Sequence, residues 1–368
     1  MNERLYLQVA PGLEGMLLEE LKALGLGGEV TEGAVELSAA PGTYRRLNLE
    51  LRTPERVFVE LGTVSDVREP SAWAKIPLNV PANTKVFARV SGKGDGDVLR
   101  FASSAWKVGL TRGFDDESAE SGFHVRFHVQ GRRCIVRVDT SGELLYRRGY
   151  RQEVSRAPLR ETLAAGLLAL AGYRGEGLLW DPLCGSGTFV LEAARWARHL
   201  APGALRSFAF ERFTHHDAKA WAEEKKRSAA RALDKAPSII WGSDNNAGSL
   251  GVARRNGKRA EVLEDVTLQR LDATKLPPGP PGPSGLVITN LPYGHRTAER
   301  SGLETLYRGF FSSLRTACPA WTVAAYVENV GLLEKTAGMP FPQRYEVANG
   351  GLHCTLAVGT VPGPPDAR

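Results

Sequence analysis

Residues 290–294, with the sequence NLPYG, combine groups that could act on an exocyclic amine of a nucleobase. Such an amine is a poor nucleophile because its lone pair is delocalised into the ring. The side-chain amide oxygen of Asn290 and the backbone carbonyl of Leu291 could accept both amine hydrogens and turn the lone pair towards a methyl donor. Pro292 stiffens the turn, and Tyr293 could stack on a flipped base. A plain turn with proline at a favoured position is the alternative interpretation.

A glycine-rich turn upstream predicts a cofactor site. Residues 178–194 read LLWDPLCGSGTFVLEAA, which indicates an apolar strand ending in Asp181, a CGSG turn and a helix from Thr188. Glycines let a ligand approach the backbone, and the helix N-terminus presents free N–H groups. Asp244 ends the next predicted strand, where an acid can bind ribose hydroxyls. Asp272 ends the third, where a carboxylate can accept a hydrogen bond from an adenine amino group.

Two nucleoside cofactors compete for this turn. NAD binding expects G-x-G-x-x-G with an acid about 20 residues further on. Here Asp181 precedes the glycines, and the next acid at a strand end, Asp244, lies 57 residues after Gly187. S-adenosylmethionine instead needs an acid near the first turn for its ammonium group and another acid for its ribose. The spacing therefore favours S-adenosylmethionine.

The cofactor candidates occupy the turn and the ends of the predicted strands. Ser186 and Thr188 would bind the cofactor carboxylate or cap the helix. Cys184 is expected to pack as a small side chain rather than act as a nucleophile, since no basic residue stands beside it. The candidates are Asp181, Cys184, Gly185, Ser186, Gly187, Thr188, Asp244, Asn245, Asp272, Ala273 and Asn290. The catalytic candidates are Asn290, Leu291, Pro292 and Tyr293, and no metal ligand is expected.

Hydrophobic periodicity predicts the elements that must position these residues. Residues 1–65 read strand–helix–strand–strand–helix–strand, which is the ferredoxin-like order. Residues 66–152 predict a second α/β module that closes with a hairpin. From residue 153 onwards strands alternate with helices, which predicts a doubly wound, mostly parallel sheet. We therefore expect an α/β chain of three domains, 1–65, 66–152 and 153–368.

Composition excludes several classes of protein. Of the 368 residues, 42% are hydrophobic and 24% are charged, which is typical of a globular protein. Four scattered cysteines without a CxxC pair argue against a disulfide scaffold and a zinc finger, and they predict a reducing, cytoplasmic compartment. No apolar run reaches the roughly 20 residues of a membrane helix. We expect a monomer that binds neither a membrane nor a metal.

The net charge of +6 is unevenly distributed. The first 120 residues are net acidic, whereas residues 121–156 carry eight Arg against three acids. Within them the stretch LLYRRGYRQEVSR, residues 144–156, interleaves tyrosines with arginines, which can stack on bases and bind phosphates. We expect nucleic-acid contact here and at the rim of the catalytic pocket. Arginines that face water or pair with acids are the alternative.

Together these motifs resemble those of a known enzyme family. DPLCGSGTFVLEAA with NLPYG is similar to the amino-methyltransferases that carry an [ND]PPY-type motif. The segments LYLQVAPGLEGMLLEELKALG, DTSGELLYRRGYR and APLRETLAAGLL resemble the THUMP-containing guanine-N2 methyltransferases of RNA. The closest resemblance is to the bacterial 23S rRNA enzymes of the RlmL type, whose insert after the first helix resembles APGALRSFAFERF.

The resemblance implies a ferredoxin-like domain, a THUMP RNA-binding domain and a Rossmann-like methyltransferase domain, without the second methyltransferase domain of the fused enterobacterial version. It implies S-adenosylmethionine-dependent methylation of the N2 amine of a guanosine in structured RNA, with 23S rRNA as the first expectation. It also implies that Arg160 and Glu161 lie near the cofactor or target pocket, and Arg160 joins the cofactor-binding candidates. A surface ion pair at the helix start is the alternative for these two residues.

Three alternatives stay open. Leu291 stands where the rRNA group usually has proline, and related tRNA guanine-N2 methyltransferases have leucine, so tRNA is the alternative substrate. The motif itself does not separate guanine N2 from adenine N6. The third alternative is a non-catalytic RNA-binding or assembly factor. The intact motif of Asn290 to Tyr293 argues against it. The modified nucleotide and the number of methyl groups added are not determined by the sequence.

Overall fold

A computed structural model describes most of the chain as two compact units. The described residues are 2–94, 97–113, 122–153, 159–280, 284–293 and 297–363, with only the backbone of 297–301. The first unit comprises residues 1–9, 17–147 and 206–228, and the second comprises 10–16, 148–205 and 229–368. Gly294 of the NLPYG motif and Arg156 of the basic stretch lie outside the described residues.

The first unit is built on one mixed sheet. Its strands are β1 (Glu3–Val9), β2 (Glu29–Thr31), β3 (Ala34–Ala39), β4 (Pro54–Val64), β5 (Lys85–Gly94), β6 (Leu110–Arg112), β7 (Gly122–Gly131) and β8 (Arg133–Asp139). Their order in the sheet is β2-β3-β1-β4-β8-β7-β5-β6. With α1 (Glu14–Ala23) and α2 (Tyr44–Glu50), the first four strands confirm the predicted ferredoxin-like order.

The second predicted module continues the same sheet. It contains α3 (Pro70–Trp73), α4 (Val98–Trp106) and strands β5 to β8. Strand β8 pairs antiparallel with β4, with Asp139 opposite Phe58. The short β6 was not predicted, because three residues after a helix carry too little periodicity. The predicted boundary near residue 65 therefore lies within a continuous sheet, and the three-domain division stays a prediction.

The second unit has a seven-stranded sheet. Its strands are β9 (Leu179–Asp181), β10 (Ile240–Asp244), β11 (Val266–Arg270), β12 (Leu286–Asn290), β13 (Thr322–Val327), β14 (Gln343–Asn349) and β15 (Leu352–Thr360), in the order β11-β10-β9-β12-β13-β15-β14. Strands β9 to β13 are parallel, and β15 runs antiparallel to β13. The chain moves outwards through β10 and β11 and then returns to β12 on the other side of β9. This reversal is the switch point at which doubly wound sheets bind ligands, and the Rossmann-like prediction is confirmed.

One helix precedes β9, and the others follow strands of this sheet. They are α5 (Glu161–Leu170), α6 (Thr188–Ala197), α8 (Ala247–Arg259), α9 (Thr297–Ala317) and α10 (Val330–Ala337). A further helix, α7 (Ala218–Ala229), belongs largely to the first unit and was not predicted. Only Trp221 and Ser228 of α7 are buried, so its sequence lacks the apolar stripe of helical period that would have predicted a helix. Trp221 instead packs edge-on against Phe210, with ring centroids 5.0 Å apart.

The interior of the second unit contains part of the Tyr- and Arg-rich stretch. Arg148 and Tyr150 are each 1% exposed, and both contact the buried carboxylate of Glu192. The Tyr150 hydroxyl donates to that carboxylate at 2.8 Å, and an Arg148 nitrogen lies 3.6 Å from it. Arg151, 9% exposed, pairs with the buried Glu161 at 3.2 Å. The expected nucleic-acid contact is therefore wrong for Arg148 and Tyr150, which are buried, and the guanidinium of Arg151 is engaged by an internal acid.

We expect Glu192→Ala to lower the free energy of unfolding by about 3–5 kcal/mol, because it leaves the buried guanidinium of Arg148 without this carboxylate. Glu143→Ala is the matched control. It removes only the partly exposed pair with Arg147 and should cost less than about 1 kcal/mol. Urea unfolding followed by circular dichroism measures both variants. Equal losses would contradict the internal role of Glu192.

Candidate functional site

The carboxyl ends of four parallel strands meet at one edge of the second unit's sheet. Asp181, Asp244 and Asn290 are the last residues of β9, β10 and β12, and Asp272 follows the end of β11 by two residues. Parallel pairing places strand ends of one kind on the same side of a sheet. The fold therefore brings the four predicted polar side chains to one edge, at the switch point between β9 and β12.

The CGSG turn after β9 has the backbone that its glycines predict. Gly185 and Gly187 have φ values of +52° and +88°, in the left-handed region that favours glycine. The N–H of Cys184 donates to the carbonyl of Ser243 at 2.9 Å, and the N–H of Gly185 donates to Asp244 Oδ2 at 2.9 Å. Beside Gly185 the space is open, since a Cβ there would meet no described atom within 4 Å other than its chain neighbours. The turn is thus anchored to β10 and leaves room for a ligand.

Asp181 is a buried carboxyl group without a cation partner in the described residues. Its side chain is 2% exposed and accepts a hydrogen bond from the N–H of Leu183 at 3.1 Å. Burial, with a smaller contribution from the charge of Asp244, raises the pKa of Asp181 to about 7 despite the lowering effect of Leu183 and Thr289. A cationic ligand group beside Asp181 would favour the ionised carboxylate. The carboxylate oxygens of Asp181 therefore suit an ammonium group.

The remaining strand-end candidates differ in their surroundings. Asp244 is half-buried and also accepts the N–H of Asn246 at 2.8 Å, whereas Asn245 is exposed. Asp272 is exposed, and one of its oxygens accepts both the N–H and the hydroxyl of Thr274, which lowers its pKa. Ala273 is 3% exposed and belongs to the hydrophobic core. Two of these residues, Asp244 and Asp272, thus carry carboxylates at or just after strand ends, and a cofactor contact by any of the four stays a prediction.

The start of α6 is linked to a buried ion pair. Thr188, the first residue of α6, has its hydroxyl in contact with the guanidinium of Arg151. The same guanidinium donates to the carbonyl of Leu159 at 2.9 Å and pairs with Glu161. Burial raises the pKa of Glu161 to about 7. Glu161 is thus buried and paired with Arg151, so it does not lie at the surface. Arg160 precedes α5 and is half-buried, and its contact with the cofactor stays a prediction.

Three residues outside the NLPY segment form hydrogen bonds with it. Leu291, which follows β12, is fully buried, and Ser186 of the CGSG turn is also buried. The N–H of Leu291 donates to the carbonyl of Tyr326 at 3.1 Å. The carbonyl of Pro292 accepts the hydroxyl of Tyr307 at 2.8 Å, and the hydroxyl of Tyr293 accepts the side-chain amide of Asn349 at 3.1 Å.

Asn290 carries a side-chain acceptor that no described residue uses. Its side-chain oxygen Oδ1 is buried and has no hydrogen-bond partner among the described residues. Leaving a buried carbonyl unpaired costs roughly 1–3 kcal/mol, and a donor on a bound ligand or water would remove that cost. An acceptor in this position fits a ligand that donates N–H groups.

Sequence reasoning missed the residues that support the motif. Tyr307 and Asn349 lie 15 and 56 residues from their partners in the motif, and no local pattern marks either one. Arg151 stood out in the sequence as a cation, but its contact with the start of α6 depends on the fold. In the described residues no group of three or more His, Cys, Asp or Glu could hold a metal ion. No described helix is both long and apolar enough to cross a membrane.

Three comparisons relate this chain to known proteins. It is 34% identical to a protein of Synechocystis sp., named provisionally as an RNA methyltransferase, over 95% of this chain and 94% of that one. It is 31% identical to the ribosomal RNA large subunit methyltransferase K/L of Psychromonas ingrahamii over 95% of this chain, and it spans about half (49%) of that relative. A solved methyltransferase in complex with SAH, 22% identical, matches the fold with a TM-score of 0.83 over 98% of both chains.

Two family models match separate segments of the chain. A model described as the RlmL ferredoxin-like domain matches residues 4–58. A second model, described as the RMKL-like methyltransferase domain, matches residues 148–358, which is more than half of the chain. The chain therefore belongs to the RMKL-like methyltransferase family.

Proposed function

We propose that this chain methylates the exocyclic N2 amine of a guanosine in structured RNA, with S-adenosylmethionine as the methyl donor. One observation carries the proposal. The Oδ1 of Asn290, at the carboxyl end of β12 and three residues before Tyr293, is buried and has no hydrogen-bond partner among the described residues. An exocyclic amine supplies the N–H donors that this acceptor lacks.

The motif residues act on the amine by position and charge. Asn290 Oδ1 and the carbonyl of Leu291 accept its two hydrogens, which localises the lone pair on nitrogen. Tyr293 stacks on the flipped base, and Asn349 fixes the orientation of that ring. Tyr307 holds the Pro292 carbonyl and so fixes the turn. As the nitrogen–methyl bond forms, the sulfur–methyl bond of the donor would break to leave S-adenosylhomocysteine, and the amine nitrogen would lose one proton to solvent. The transfer therefore needs no covalent nucleophile.

The cofactor supplies an electrophilic methyl group on a sulfonium sulfur. Asp181 meets its ammonium group, and the turn of Gly185 to Thr188, which leads into the N-terminus of α6, meets its carboxylate. Asp244 binds the ribose, and Asp272 accepts a hydrogen bond from the adenine amine. Arg151 positions Thr188 in this set.

The proposed RNA is 23S rRNA, because the Psychromonas relative is named as a methyltransferase of large-subunit rRNA. We assign RNA binding to a THUMP domain at residues 66–152. The arginines found in the interior leave this contact to other cations of the domain, such as the exposed Lys85, Arg89, Lys93 and Arg133. The enzyme would act in the cytoplasm as a monomer, and tRNA is the alternative substrate because of Leu291.

Mass-spectrometric nucleoside mapping of rRNA and tRNA from a strain that lacks the gene tests the substrate. We expect loss of one N2-methylguanosine from 23S rRNA, and restoration when the gene is returned. A strain carrying Asn290→Ala is the matched control and should resemble the deletion. Loss from tRNA alone would overturn the rRNA assignment, and loss of N6-methyladenosine would overturn the guanine assignment.

Asn290→Ala should reduce methyl transfer by about 100- to 1000-fold, by analogy with the removal of one hydrogen-bonding group from a catalytic site. Asn290→Asp keeps an acceptor oxygen and should retain part of the activity. Transfer of labelled methyl groups to 23S rRNA measures the rate, and calorimetric binding of S-adenosylhomocysteine checks that the cofactor site is intact. Full activity of the alanine variant would refute the mechanism.

Cofactor binding should weaken in acid, because Asp181 in the free protein has a pKa of about 7 and only its ionised form pairs with an ammonium group. Between pH 7.5 and pH 5.5 we expect the Kd of S-adenosylhomocysteine to rise by about 20-fold. Asp181→Asn should bind weakly at both pH values and show little dependence on pH. A wild-type Kd that does not change over this range would exclude Asp181 as the ammonium ligand.

A further inference from the structure

Helices α3 and α4 pack on one face of the first unit's sheet, and the other face carries arginines. Phe127 of β7 contacts Trp73 of α3 and Trp106 of α4, with ring centroids 5.9 Å apart in both pairs. Side chains alternate between the two faces of a strand, so Arg126 points away from these helices. Its guanidinium carbon lies 4.6 Å from the ring centroid of Phe58.

Three arginines lie side by side on this second face, across three neighbouring strands. In the register of the sheet, Arg89 of β5 lies beside Arg126 of β7, and Arg126 lies opposite Arg137 of β8. We call these three residues the arginine row. Neighbouring strands are about 4.8 Å apart, and like charges opposite one another destabilise a sheet. An anion bound along the row would offset this repulsion.

The three arginines differ in how their charges are compensated. Arg137 pairs with Glu36 at 3.0 Å and lies 3.7 Å from Glu60. Arg126 is half-buried, and burial together with the charge of Arg89 lowers the pKa of its guanidinium. Arg89 is exposed, and no described residue forms an ion pair or a hydrogen bond with it. Arg89 is therefore the member of the row best placed to take up an anion from solvent.

The strands that carry the arginine row are basic. Strands β5, β7 and β8 contain one acid and six Lys or Arg, which are Lys85, Arg89, Lys93, Arg126, Arg133 and Arg137. The acid, Asp139, is fully buried and pairs with Arg56 of β4. Lys93 and Arg133 are exposed, and each lies next to Gln130 in the register of the sheet. The exposed charge of these strands is positive and complements the phosphates of a nucleic acid.

Uncharged polar side chains continue this face beyond the arginine row. His128, two residues after Arg126, lies 3.1 Å from the hydroxyl of Ser91 and 3.2 Å from the side-chain amide nitrogen of Gln130. Hydroxyl and amide side chains join Lys and Arg in most protein contacts with phosphate and sugar. The face thus combines the two kinds of group that bind a nucleic-acid backbone.

We propose that the arginine row binds backbone phosphates of the RNA substrate, with Arg89 in direct contact with a phosphate. The planar fork of an arginine binds phosphate through two parallel hydrogen bonds. This inference rests on the proposed function, from which it takes RNA as the ligand. It adds the face of the first unit on which the RNA lies.

The test compares Arg89→Gln with Arg112→Gln in the full chain. Arg112 of β6 is also exposed but lies beside Ala88, hence on the opposite face, and its loss changes the net charge equally. Filter binding of transcribed 23S rRNA is measured from about 50 to about 200 mM KCl. Arg89→Gln should raise the Kd about tenfold and lower the slope of log Kd against log salt concentration by about 0.7–0.9, the contribution of one phosphate. Arg112→Gln should change neither quantity.

Thermal unfolding of the RNA-free protein distinguishes a binding role from a structural one. Removing Arg89 relieves its repulsion with Arg126, so Arg89→Gln should unfold at the wild-type temperature or above it. A lower unfolding temperature would assign Arg89 a structural role and overturn the proposal. Arg89→Lys keeps the charge but loses the fork, and should keep the salt slope while losing part of the affinity.

The outcomes separate this inference from the function on which it rests. If Arg89→Gln binds 23S rRNA with the wild-type Kd and slope, or if Arg112→Gln weakens binding equally, the arginine row is overturned and the proposed methylation stands. If the wild-type protein binds RNA but methylates no guanosine, the proposed function fails and the row is judged by the binding data. If it binds tRNA and not 23S rRNA, the rRNA assignment fails, and the same variants decide the row on tRNA. Binding of neither RNA would overturn both.

Discussion

The parallel pairing of β12 between β9 and β13 is the constraint on which the site depends. It fixes the distance between the turn that follows β9 and the NLPY turn that follows β12. It also sets the end of β13 next to the NLPY residues. None of these turns is near another in sequence, so their arrangement depends on the register of the central strands. Loss of that register would disperse the candidate site.

Much of this arrangement could be predicted from local patterns. Apolar strands followed by Asp181, Asp244 and Asn290 identify the strand ends, and the alternation of strands and helices identifies the parallel sheet. Gly185 and Gly187 marked a tight turn, and their left-handed backbone agrees with that prediction. These features are local, because neighbouring residues in the sequence determine backbone conformation and the alternation of side chains along a strand.

The failed and missed predictions share a physical cause. Arg148 and Arg151 looked like solvent-facing cations, but their environment is set by Glu192 and Glu161, whose positions relative to them depend on the fold. A charge count detects a cation but not its buried partner. Tyr307 was not predicted for the same reason. Its hydroxyl donates to the backbone carbonyl of Pro292, and such a contact leaves no pattern in the sequence.

The burial of Asp181 also bears on how long the folded protein survives. A buried carboxyl group without a cation partner among the described residues makes the ligand-free chain less stable than it would otherwise be. A cationic ligand that binds only the folded chain raises its stability in proportion to the logarithm of ligand concentration. Bound ligand would then lower the fraction of unfolded chains, which are the ones that proteases degrade.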